Sequence, residues 1–124
     1  MTKGRLNKLG LLALIILLPY HAIAHEIRPA LIKLTQASVT EYQLVFKQPQ
    51  VQGRFLNLSV STNCEHSEGD RILGRDALQT ISTVNCERGP LGWVSVPGIE
   101  GTLIDAMLTI EPLNGPTQNL LISA

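Results

Sequence analysis

Aromatic residues are scarce: two Phe, two Tyr and one Trp stand among 124 residues. No stripe of aromatics interleaves with basic side chains, the arrangement on which successive bases stack, so nucleic-acid and carbohydrate grooves are not indicated. Charge of one sign is not in excess either, with ten Lys and Arg against ten Asp and Glu, and a basic nucleic-acid footprint is missing. No Gly-x-Ser-x-Gly elbow, phosphate-binding glycine loop or His-Glu-x-x-His pair occurs, which removes the sequence signals of the common hydrolase, nucleotide and zinc-protease chemistries. Cysteine is limited to Cys64 and Cys86. Long apolar runs are limited to Leu9–Leu18, about half the roughly twenty residues a transmembrane helix needs. The expectation is a protein that is not an enzyme.

What is present begins at the N-terminus. Lys3, Arg5 and Lys8 precede the apolar run, Pro19 ends it, and Ala22-Ile23-Ala24 supplies small residues where a signal peptidase reads. A basic start, a short apolar core and an Ala-x-Ala end make a secretory signal peptide. The chain is therefore expected to be cut after Ala24, leaving residues 25–124 as a single periplasmic or secreted domain with no membrane span. Removal of 1–24 leaves seven basic against ten acidic residues, a formal charge of −3. In an oxidising compartment an isolated cysteine pair reads as a disulfide. Closing the Cys64–Cys86 loop stabilises by about 3 kcal/mol in the chain-entropy model. The rival, a metal thiolate pair, usually shows Cys-x-x-Cys spacing or histidines on both sides, and only His66 is near.

Hydrophobic residues recur with a period close to two. Ile32 and Leu34 flank Lys33, and Tyr42, Leu44 and Phe46 alternate with Gln43 and Val45. Leu56, Leu58 and Val60 alternate with Asn57 and Ser59, and Ile104, Ala106, Leu108 and Ile110 with Asp105, Met107 and Thr109. Such alternation marks strands with one buried face. Shorter Thr- and Val-rich pieces at 78–86 and 92–97, and a weaker one at 117–124, complete about seven short strands. Turn signals at Gln52-Gly53, Gly69-Asp70, Gly89-Pro90, Pro97-Gly98 and Asn114-Gly115 separate them. The expected fold is all-β, an antiparallel sandwich of immunoglobulin-like architecture. Trp93 is expected to fill the core between the sheets. Residues 69–81 are the longest helical candidate, and Gly74 in the middle argues against a helix there. Glu65, Glu68 and Asp70, with His66, are expected in a solvated loop.

The candidate sites lie near the cleavage point. A histidine at a free N-terminus can chelate one metal through its α-amine and imidazole Nδ1, a nitrogen set that favours Cu(II). His25 would be that residue, with Glu26 and His66, the other histidine of the exported part, as further ligands. Arg28 and Pro29 carry a different expectation. Proline pushes the residue before it into an extended conformation, so the run starts a strand, expected at a sheet edge, and Arg28 is a candidate for docking a partner such as the loops of a membrane protein.

The run "HEIRPALIKL", then "YQLVFKQP", the cysteine pair, and "GPLGWVSVPGIEGTLIDAMLTIEPLNG" together resemble the extracytoplasmic N-terminal domain of the HupE/UreJ family. His-Glu-x-Arg-Pro-Ala is the most specific part. The resemblance implies an exported β-domain working beside a membrane protein of the same family that handles nickel or a related metal. The multi-span part of such proteins has no counterpart here. Two function classes follow: a non-catalytic interaction or accessory module of a membrane metal-handling system, and a soluble periplasmic binder of Cu or Ni through His25.

Overall fold

A computed structural model describes residues 27–124. The expected signal segment, His25 and Glu26 lie outside the described residues. Nine strands follow in order: β1 Ala30–Gln36, β2 Glu41–Pro49, β3 Ser61–Thr62, β4 Glu65–His66, β5 Asp70–Leu73, β6 Ala77–Asn85, β7 Val94–Ser95, β8 Ala106–Glu111 and β9 Gln118–Ile122. One 3-10 turn spans Ile99–Gly101. The fold is all-β, and no helix among the described residues is long and apolar enough to cross a membrane.

Strand β1 shows why the sheet forms where it does. Ala30, Ile32 and Leu34 are sealed from solvent while Leu31 and Lys33 between them are open, the two-residue period of a strand with one dry face. Its neighbours repeat that phase. Ile32 lies opposite Phe46 of β2 and Leu108 of β8, and Leu34 opposite Leu44 and Ile110. The main sheet runs β4-β6-β2-β1-β8-β9, with β5 also paired to β6. β4 and β5 lie end to end along one edge of β6: β4 pairs with Val84 and Asn85, and β5 with Leu78–Ile81.

The dry face forms one core cluster of Ile32, Leu34, Leu44, Phe46, Val84 and Leu108, joined by Val96, Ile99 and Ile104 from outside the main sheet. Each such aliphatic side chain contributes about 1.5–3 kcal/mol by leaving water. The covering layer is thin. Among the described residues its only ladder is β3 with β7, two residues from each, and the rest is irregular chain. The strand orders do not establish an immunoglobulin-like architecture, because a seven-stranded sheet faces a two-stranded one.

Several expectations are corrected. The main sheet is mixed rather than antiparallel, because β1 and β8 run parallel. β1 is central, not an edge strand. Residues 55–60 pair into no strand: Asn57 takes a left-handed φ of 51°, which interrupts extension, and Leu56 is left 37% exposed. Leu58 instead bonds to a side chain. Buried Gln48 donates from Nε2 to the Leu58 carbonyl at 3.0 Å and accepts the Leu58 N–H at 2.9 Å. In agreement with the reading of Gly74 against a helix, residues 70–85 form a hairpin, closed by the Gly74 N–H donating to the Ala77 carbonyl at 2.8 Å. The expected loop around His66 is strand in part, since Glu65 and His66 join β6. Trp93 is 52% exposed. It has the opposite phase to Val94 and buried Val96, which take the inward positions of that extended piece.

Cys64 and Cys86 form the expected disulfide, with Cα atoms 4.9 Å apart. They occupy the ladder position next to Glu65 and Asn85, so the bridge clamps β4 to the end of β6. Both sulfurs are used, which leaves no thiolate pair for a metal.

Two outcomes test this arrangement. Leu108→Asp places a charge in the core and is expected to cost about 4 kcal/mol or more, whereas Thr109→Asp, one step along on the other face, is expected to cost under about 1 kcal/mol. Urea denaturation of both variants measures the difference. Replacing both cysteines by Ala is expected to lower stability by about 3 kcal/mol, the contribution of a loop of this length, read from urea denaturation with the slope fitted separately for each protein, since the released unfolded chain exposes more surface.

Candidate functional site

The face of the main sheet turned away from the core has no covering layer among the described residues. Register places one row across six of its seven strands, from β5 to β9. Ile72 lies opposite Gln79, Gln79 opposite Lys47, Lys47 opposite Leu31, Leu31 opposite Met107, and Met107 opposite Leu121. Four of the six are apolar and open to water: Ile72 is 53% exposed, Leu31 44%, Met107 48% and Leu121 63%. Side chains directly opposite on neighbouring strands stand about 5 Å apart, so Leu31, Met107 and Leu121 make a continuous apolar strip.

In the rows beyond it, the polar side chains of β1, β8 and β9 are paired with one another. Lys33 Nζ lies 3.3 Å from Glu111 Oε1, and Thr35 Oγ1 donates to Glu111 Oε2 at 3.3 Å. Thr109 Oγ1 donates to Asn119 Oδ1 at 2.9 Å. The Lys33–Glu111 pair is exposed and contributes about 0–1 kcal/mol. Its consequence is local: these groups already have partners, and the apolar strip does not.

Arg28 and Pro29 stand at the end of this row. Pro29 has no N–H to place in a ladder, and pairing begins one residue later, where the Ala30 N–H donates to the Asp105 carbonyl at 2.9 Å. Both residues are exposed. They border an open cleft of about 570 Å³ with Leu31, Lys47, Arg75 and Asp76. Arg28 is engaged in a polar interaction of its own. Lys47 and Arg75 have no ion pair among the described residues. The cleft thus combines three cations, one acid and an apolar wall, an environment that favours an anionic group carried on an apolar segment.

His66 lies elsewhere. It faces the core side of β4, opposite Val84, and its Nε2 is 2.8 Å from Thr62 Oγ1. The same hydroxyl accepts the Cys64 N–H at 3.0 Å. Desolvation of the ring lowers the His66 pKa below its ordinary 6.5, which favours the neutral imidazole. The chain enters at the opposite end of the sheet. β1 from Ala30 to Gln36 is about 20 Å long at about 3.3 Å per residue, and His66 is level with its far end, since Gln36 pairs Tyr42, Tyr42 pairs Val84 and Val84 pairs His66. The lateral offset adds three strand spacings, about 14 Å. Among the described residues no group of three or more His, Cys, Asp and Glu could hold a metal ion. His25 and Glu26, the other residues of the expected Cu or Ni site, lie outside the described residues.

The sequence pattern points to Arg28 and Pro29, and not to Lys47, Arg75 or the apolar strip. The available signal was an apolar residue in the polar phase of an alternating strand, as at Leu31 and Met107. Comparison with known proteins gave no match to a family model, a curated protein or a solved structure.

The depressed pKa has a sign. A histidine harder to protonate in the folded state gives stability that is complete above the unfolded pKa of about 6.5 and is lost as pH falls through that value toward the folded pKa. His66→Gln is expected to flatten the fall in Tm between about pH 6.5 and pH 5. Thermal melts of both proteins across that range check it, and an unchanged slope would contradict the account.

Proposed function

We propose that this chain is an exported, non-catalytic interaction domain that docks through the uncovered sheet face onto a membrane protein of HupE/UreJ type. The observation that carries the reading is the row Leu31–Met107–Leu121, exposed beside Lys47 and Arg75, which have no ion pair among the described residues. An apolar centre with a charged rim is the usual anatomy of a protein contact surface, and contiguous exposed apolar residues are otherwise unfavourable in water. The matching surface is an extramembrane loop that carries acidic side chains beside apolar ones. Arg28 and Pro29 lie at the rim of the contact. Export is supported by the signal-like first 24 residues and by the disulfide, which persists in oxidising compartments. The resemblance of "HEIRPALIKL" and the glycine-spaced run before Thr102 supports the family of the partner and, through it, a role beside metal handling.

Site-specific photo-crosslinking in the native host, with the HupE/UreJ-type membrane protein present, tests this. A crosslinker at Met107 is expected to capture that protein, and one at Arg88, 92% exposed at the disulfide end, is not. Leu31→Lys with Leu121→Lys is expected to weaken the contact about tenfold or more, as loss of a central apolar anchor does. Equal capture from both positions, or capture of another copy of this chain alone, would refute docking to the membrane protein through this face.

A further inference from the structure

The opposite side of the sheet holds a second opening, with different chemistry. Inward positions of β6 read Leu78, Thr80, Ser82, Val84, so two hydroxyl residues occupy the centre of a strand whose ends are apolar. Thr80 lies opposite Phe46 and Ser82 opposite Leu44, both buried members of the core. At the sheet edge Arg71 is the cross-strand partner of Thr80 and projects on the same side. These residues border a cleft of about 550 Å³ between the β4–β5 edge and residues 57–60, within the range of small-molecule sites.

Three observations point to a ligand. First, the only formal charge lining the cleft is Arg71, with no carboxylate among the lining residues, and Arg71 has no ion pair among the described residues. His66 at the rim is held toward its neutral form. Second, the hydroxyls of Thr80 and Ser82 make no side-chain hydrogen bond among the described residues, although both residues are half-buried. Third, the far wall is built rather than loose. Buried Gln48 pins Leu58 through two hydrogen bonds, and Asn57 holds a left-handed φ of 51° beside it, an unfavourable conformation of the kind that concentrates at binding sites. Apart from the two bonds at Leu58, no side-chain hydrogen bond ties residues 56–60 among the described residues, so Asn57 and Ser59 present unpaired polar side chains at the rim of the cleft.

We propose that this cleft binds a small amphipathic anion. Its carboxylate or phosphate head would sit on the Arg71 guanidinium within reach of the Thr80 and Ser82 hydroxyls, and its short apolar body would lie toward Leu44 and Phe46. Arg71 supplies the planar donor fork that suits either head group. No bond is made or broken, and the site is independent of the docking face.

Amide chemical-shift titration of the disulfide-bonded protein with octanoate, octyl phosphate and octanol tests the proposal. Saturable shifts are expected for the two anions at residues 57–60, 66–71 and 80–82. The tighter of the two identifies the head group, and octanol is expected to bind at least about tenfold more weakly than either. Arg71→Gln, at an exposed position that does not threaten folding, is expected to lose about tenfold in anion affinity. Ser82→Leu is expected to abolish binding by filling the cleft, and Arg54→Gln to leave it unchanged. Anion binding undiminished in Arg71→Gln, octanol binding as tight as octanoate, shifts confined to the Leu31–Met107 face, or no saturable shift at millimolar probe would each overturn the assignment.

Discussion

The register between β1 and its two neighbours is the constraint on which the rest of the structure depends. A strand has only two faces, and a slip of one residue exchanges them completely. β1 is paired along its length with β2 on one side and β8 on the other. Burying Ile32 therefore fixes Phe46 and Leu108 inside and, by the same step, turns Leu31, Lys47 and Met107 outward. The uncovered row on the outer face and the continuous core on the inner face are two consequences of one pairing.

The thin second layer explains where side-chain and covalent ties are concentrated. Two-residue ladders supply little cohesion, and the edge carrying β4 and β5 is divided at Ser67–Gly69. There the backbone runs so close to β6 that a Cβ at Gly69 would collide with the Ile81 carbonyl oxygen and stand 2.8 Å from Ser82 Cβ. The disulfide holds one end of this edge. Gln48 holds the facing segment by doing for Leu58 what a strand partner would have done, which satisfies a buried amide that would otherwise carry a desolvation cost of about 1–3 kcal/mol. Between the two ties the layers do not close, and the cleft with Arg71 occupies the gap.

The two surfaces differ in the chemistry they can recognise. The outer face is broad, apolar at its centre and cationic at one rim, suited to a second polypeptide. The inner cleft is narrow, with one guanidinium, two hydroxyls and an apolar floor, suited to something small. Separate faces of one sheet bear them, so an occupant of one leaves the other accessible.

Local pattern alone determined the strands whose alternation is strict. "ALIKLTQ" and "EYQLVFKQP" coincide with β1 and β2, and the inward set Ile104, Ala106 and Leu108 is buried as read. The cysteine pairing was legible because only one pairing is possible. The candidate site was legible only at Arg28 and Pro29, since a proline before a strand is a local signal. Lys47 and Arg75 reach the same cleft from β2 and from the turn before β6, through pairings that span dozens of residues. Tertiary structure also decided that β1 is central and parallel to β8, that residues 55–60 leave the ladder, and that Trp93 turns outward. The reason is physical: a period of two states which residues share a face, but it does not state which strand lies alongside, in which direction, or which face receives a cover. Those outcomes depend on contacts between residues far apart in sequence.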